Sequence, residues 1–115
     1  MHIIFKFIIV LLILLTLDFV YLNLKIVDYN SVVVKIQNSS IAGFKKPLGL
    51  LAYLFMGMAI LYSKNYKESA LFGLVIYSIY NLTNYGIFND WDAKTAIIDT
   101  TWGTILFAVT KLISQ

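Results

Sequence analysis

Four stretches of the chain are apolar nearly all round, with polar residues gathered between them. The first runs from Ile3 to about Leu24, broken chiefly by Lys6, Thr16 and Asp18; the others cover 47–63, 69–88 and 95–113. A helix crossing a hydrocarbon core of roughly 30 Å needs about 20 mostly apolar residues, and these stretches meet or approach that length. A helix resting on a soluble core would keep a polar face, which none of the four has. No alternating pattern recurs that would build a spanning barrel. The pattern therefore predicts an all-α membrane protein, a single domain over 1–115 folded as an antiparallel bundle of four transmembrane helices. The first stretch reads as a retained span rather than a signal peptide. It is long, and it ends in Asp18-Phe19-Val20-Tyr21-Leu22-Asn23 with no small-residue cleavage site.

The boundaries carry helix-end chemistry. Pro47 suits a first helical position, where its missing N–H is no loss. Ser69 is placed to cap the third helix, and Asp92 or Thr95 the fourth. The two later loops are short, so helices two to four should pack as antiparallel neighbours. Lys25 to Lys46 forms the one long connection. Ile26, Tyr29, Val33 and Ile36 make an apolar stripe there, which fits a short helix on the membrane surface. Val32-Val33-Val34 fits a strand-like piece in a solvated loop equally well. Asn38-Ser39-Ser40 matches a glycosylation acceptor, relevant only if that loop is lumenal.

Composition strengthens the membrane reading: 60% of the residues are hydrophobic and 13% charged, against about 25% charged in a soluble domain. Absence of cysteine excludes disulfides and thiolate metal sites, and a single histidine, His2, leaves no histidine-based metal cluster; no cofactor is expected. A net charge of +3 is too small and too scattered for nucleic-acid binding. The bilayer itself is the expected partner. With an even number of spans, one side carries Lys6, Lys64, Lys67 and Lys111, and the other Lys25, Lys35, Lys45, Lys46 and Lys94. Lysine bias, which sets orientation, is nearly nil. Richness in Lys, Ile and Asn follows from AT-rich codons and fits a cellular or a viral membrane alike.

Ionisable groups inside a span cost roughly 2.5–3.5 kcal/mol each and mark candidate functional sites. Asp18 and Asp99 qualify, joined by the amides Asn81 and Asn84. At about 1.5 Å per residue, Asp18 lies roughly 8 Å from the far end of helix one, and Asp99 roughly 6–9 Å into helix four from the same side. Asn81 and Asn84 fall at a similar level. On helix three, Tyr77, Asn81, Asn84 and Phe88 share one stripe; on helix four, Thr95, Asp99, Trp102, Leu106 and Thr110 do. Asp18 shares a face with Tyr21. Asp18, Tyr77, Asn81, Asn84, Asp99 and Trp102 are thus expected to meet in one inward-facing pocket. The same residues would also serve as interhelical glue, at about 0.6 kcal/mol per hydrogen bond.

Two nearby carboxyls in low dielectric cannot both ionise cheaply, so one should hold a proton or both should share a cation. The chemistry expected is binding or passage of a proton, a cation or a small polar ligand. A lipid head group slotted between Tyr77, Tyr80, Tyr85, Trp91 and Trp102 is an alternative, although such aromatics also form an ordinary interfacial belt. A lipid-modifying enzyme using Asp99 or Asp18 as general base, and a structural or assembly subunit, are further alternatives. No recognised catalytic motif is present to favour the enzyme. Gly49, Tyr53 and Gly57 line one face of helix two, with Gly73 and Gly103 elsewhere. They are small-residue packing signals and leave a homo-oligomer open.

Five separated elements resemble the domain of unknown function 2177 family. They are Ala70-Leu71-Phe72-Gly73-Leu74-Val75, Tyr80-Asn81-Leu82-Thr83-Asn84, Trp91, Asp99, and Trp102-Gly103-Thr104; Leu17-Asp18 with Tyr21-Leu22 adds a match in helix one. The resemblance implies a small polytopic membrane protein and the choice of Asp18, Asn84, Asp99 and Trp102. It implies no reaction. The chain departs from the family pattern at Asn81, where an Asp is usual, and at Asp92, where Pro follows the Trp.

Overall fold

The computed structural model describes residues 2–37 and 46–115. Four helices account for nearly all of them: α1 (Ile3–Gln37), α2 (Lys46–Tyr62), α3 (Tyr66–Ile87) and α4 (Ala93–Ser114). The first is much longer than the apolar pattern indicated. Its helical ladder continues beyond Leu24 to Gln37, through the segment expected to be loop, surface helix or strand-like. No Gly or Pro interrupts 25–37, so nothing in that segment breaks the backbone hydrogen bonding. At about 1.5 Å per residue α1 is about 50 Å long, more than a hydrocarbon core requires. The remainder of the expected loop, 38–45 with Asn38-Ser39-Ser40, lies outside the described residues.

Caps fix the later boundaries. α3 starts at Tyr66, earlier than expected, because Asn65 and not Ser69 is its cap. Asn65 Oδ1 accepts from the Glu68 N–H at 2.9 Å, and Glu68 Oε1 accepts in return from the Lys64 N–H at 3.0 Å. This reciprocal arrangement satisfies two backbone donors at the helix entrance. Ser69 is fully buried instead, and its hydroxyl donates to the Phe107 carbonyl at 3.1 Å, tying α3 to α4. Asp92 caps α4 by accepting from the Thr95 N–H at 2.7 Å. The exit of α2 is closed by Ser63, whose N–H donates to Ala59 and Ile60 carbonyls. Lys111 also reaches over from α4 to the Leu61 carbonyl at 3.3 Å.

α3 and α4 form the most extensive helix pair. α1 lies against α2 and α4, and among the described residues it does not touch α3 at the backbone level. The α3–α4 approach depends on two glycines. A Cβ on Gly73 would stand 2.5 Å from the Gly103 carbonyl oxygen, and one on Gly103 would overlap the Tyr77 ring. The core below is built from Val10, Leu14, Ile60, Leu106 and Phe107, with Tyr77 set edge-on to Phe107 at 6.2 Å.

The distribution of side chains is reversed relative to a water-soluble bundle. Phe19 and Leu82 are each 68% exposed and Ile97 66%, whereas Asp18 is 6% and Asn81 1% exposed. Outward-facing hydroxyls and amides are satisfied within their own helices: Thr16 donates to Leu12, Asn23 to Phe19, and Thr101 to Ile97 carbonyls. Two helical segments, Ile3–Lys25 and Ala93–Ser114, are long and apolar enough to cross a membrane, and Leu48–Tyr62 is a shorter apolar helix.

Candidate functional site

Asp18 is buried, whereas Asp99, the second carboxylate, is half-buried; Asp18 joins three helices. Its Oδ2 accepts from the Tyr53 hydroxyl of α2, and its Oδ1 accepts from Trp102 Nε1 of α4 at 2.9 Å. The Trp102 ring is held in turn by Tyr21, one turn along α1 from Asp18, stacked nearly parallel at 4.5 Å. Position 21 follows 18 by three residues, so the aromatic and the carboxylate share the α1 face that meets α4. Both oxygens of Asp18 therefore have a protein donor, and both donors come from neighbouring helices.

Asp99 is the second carboxylate, about two turns into α4 from its Asp92 cap. Asn81 Nδ2 donates to Asp99 Oδ2 at 2.8 Å and also to the Tyr77 carbonyl at 2.9 Å. Both contacts of that nitrogen go to acceptors, which sets the orientation of the amide. Asn81 Oδ1 is buried with no protein donor. The Tyr77 carbonyl accepts from Asn81, and its ring packs against Gly103 and Phe107 of α4.

Of the residues expected in one pocket, Asp18 and Trp102 are in direct contact, Asn81 and Asp99 are in direct contact, and the Tyr77 carbonyl joins the second pair. Asn84 hydrogen-bonds the Tyr80 side chain, which packs edge-on to Trp91 at 5.9 Å. Trp91 is buried and its Nε1 has no protein partner. Tyr53 is the residue that sequence reasoning set aside, as part of a packing face. A depth count could have found it: it lies about two turns into α2 from the end at which Asp18 and Asp99 gather.

The arrangement treats its carboxylates differently. Asp18 acts as a fastening between helices, while Asp99 sits beside a buried acceptor that lacks a donor. Among the described residues no three His, Cys, Asp or Glu side chains converge to hold a metal ion. A divalent cation usually takes several carboxylates, so the donor set fits smaller demands.

Residues 3–115 match the domain of unknown function 2177 family, described as a predicted membrane protein, and the chain belongs to that family. No curated protein and no solved structure matches it.

Proposed function

We propose that this family member is a multi-pass protein whose four helices all span the bilayer, and that its interior layer binds or passes a proton, a cation or a small polar ligand at Asp99. The inverted distribution of side chains supports four spans. α2 exposes Leu48, Leu50, Phe55 and Met58, and α3 exposes Leu71, Val75, Ile79 and Leu82. Lipid would cover these faces, while water would make them a liability.

The single observation that carries the functional reading is the buried Asn81 Oδ1, left without a protein donor next to the amide nitrogen that holds Asp99. Structural glue requires only that polar groups find partners, and Asp18 with Tyr53 and Trp102 meets that requirement fully. Asn81 does not, because its buried Oδ1 has no protein donor. A group that carries a positive charge or a proton would complete this end of the layer. Asp18 supports a second role beside it, as the fastening that holds α1, α2 and α4 around the site.

The test uses purified protein in liposomes with proton- and ion-sensitive dyes. Wild type is expected to conduct above the protein-free background. Asp99→Asn is expected to fall toward that background while retaining its helical content and monodispersity. Unchanged flux together with unchanged stability removes Asp99 from the function.

A further inference from the structure

The end of the bundle away from Asp18 and Asp99 gathers positive charge on its inner stripes. Lys6 precedes Val10, Leu14 and Asp18 at steps of four; all three are buried, so Lys6 prolongs the inward stripe of α1. Lys111 follows the buried Gly103 and Phe107 at the same steps and prolongs the inward stripe of α4. Its ammonium turns back over the end of α2 and donates to the Leu61 carbonyl at 3.3 Å. α1 and α4 run antiparallel and meet at Asp18 and Trp102. Both lysines therefore come to one end, Lys6 about 18 Å and Lys111 about 14 Å along their helices from that contact. The charges of Lys6 and Glu68 both act on Lys111. Lys64 follows α2, and Lys67 lies in the first turn of α3, which Ser69 ties to Phe107 one turn before Lys111. Against these four lysines stands one carboxylate. Glu68 alone is acidic among the described residues of this end, and its Oε1 accepts from the Lys64 N–H.

Lysines of an ordinary interfacial belt run outward along the lipid-facing surface. Lys6 and Lys111 instead stand where the inner stripes reach the mouth of the bundle. Like charges gathered around a single carboxylate favour an anion beside them, and a lysine meets phosphate as a point charge. Ile3, Leu112 and Ile113 are exposed next to them, so the same surface offers apolar contact to an acyl chain. We propose that Lys6 and Lys111, with Lys64 beside them, form a binding site for the phosphate of an anionic phospholipid. The site uses none of the residues of the Asp99 layer and lies about three turns of α1 from Asp18, so each reading can fail without the other.

The experiment is thermal unfolding of the full chain in phosphatidylcholine nanodiscs, with phosphatidylglycerol replacing a rising share of the lipid. Wild type is expected to melt higher as that share rises, and the response should saturate. Lys6→Gln and Lys111→Gln should each raise the half-saturating share about fivefold. Lys94→Gln, at the opposite end, should leave it unchanged. Lys111→Arg keeps the charge and should keep the response. Should Lys111→Gln fail to fold, Lys6→Gln at an exposed position carries the test. Inorganic phosphate added to pure phosphatidylcholine nanodiscs should leave the melt where it is; stabilisation equal to that of phosphatidylglycerol overturns the lipid as ligand in favour of free phosphate. Melting indifferent to phosphatidylglycerol, or an equal loss of response in Lys94→Gln, overturns the site and returns these lysines to an ordinary belt.

Discussion

Asp18 concentrates two interhelical hydrogen bonds on one side chain, and this sets a definite order among substitutions. Tyr53→Phe keeps the ring and removes one donor, so it should cost about 0.6–1.7 kcal/mol, the range measured for hydrogen bonds between membrane helices. Asp18→Leu removes the acceptor and strands both the Tyr53 hydroxyl and Trp102 Nε1, at about 1–3 kcal/mol for each donor left unpaired. Reversible unfolding in mixed micelles should therefore rank Asp18→Leu well below Tyr53→Phe; equal losses would mean that the buried carboxylate is not the hub of these contacts. At the same scale, the carboxylates were legible in the sequence because charge inside an apolar run is scarce. Tyr53 was not, because it is one of eight tyrosines and an interfacial belt explains most of them. The unpartnered Asn81 Oδ1 was beyond reach altogether, since it depends on which way one amide turns.

At the scale of the element, the α3–α4 pair is the most tightly specified part of the molecule. Gly103→Ala would drive a methyl into the ring of Tyr77, whose carbonyl accepts from the Asn81 amide that also holds Asp99. Overpacking of this kind costs about 1–3 kcal/mol, and here it should also disturb the site. Gly86→Ala offers the contrast, because a Cβ there meets nothing within 4 Å. It should be neutral or stabilising by up to about 1 kcal/mol through helix propensity. Circular dichroism melts of the two variants check both statements, and a Gly86 variant as damaged as the Gly103 variant would contradict the packing described. Asn65→Ala should cost about 1 kcal/mol through loss of the α3 cap, read in the same melts. Helix identity was legible from apolar runs, but helix ends were not. The pattern stops α1 where its apolarity fades, at Lys25, while the backbone has no reason to stop there. It also set the α3 cap at Ser69, although Asn65 with Glu68 three residues on carries the reciprocal capping spacing.

At the scale of the whole molecule, an apolar core of Leu14, Ile60, Leu106 and Phe107 encloses the buried Asp18 and Asn81, while many large apolar side chains face outward. That distribution also explains why hydropathy along a single helix understates α3. Its Asn81 and Tyr77 lower the average, but they face inward, while Leu71, Val75, Ile79 and Leu82 meet the surroundings. Four spans, as proposed, would place both ends of the chain and the 63–65 connection on one side, and the connection between α3 and α4 on the other. The central claim, an ion-handling layer enclosed by four crossing helices, depends on that threading. The chain has no cysteine, so single cysteines introduced at His2, Lys64, Asp90 and Gln115 can each be probed in sealed vesicles with a membrane-impermeant thiol reagent. Positions 2, 64 and 115 should react from one side and position 90 only from the other; reaction of 64 and 90 from the same side would contradict the four-span bundle and dissolve the enclosed site with it.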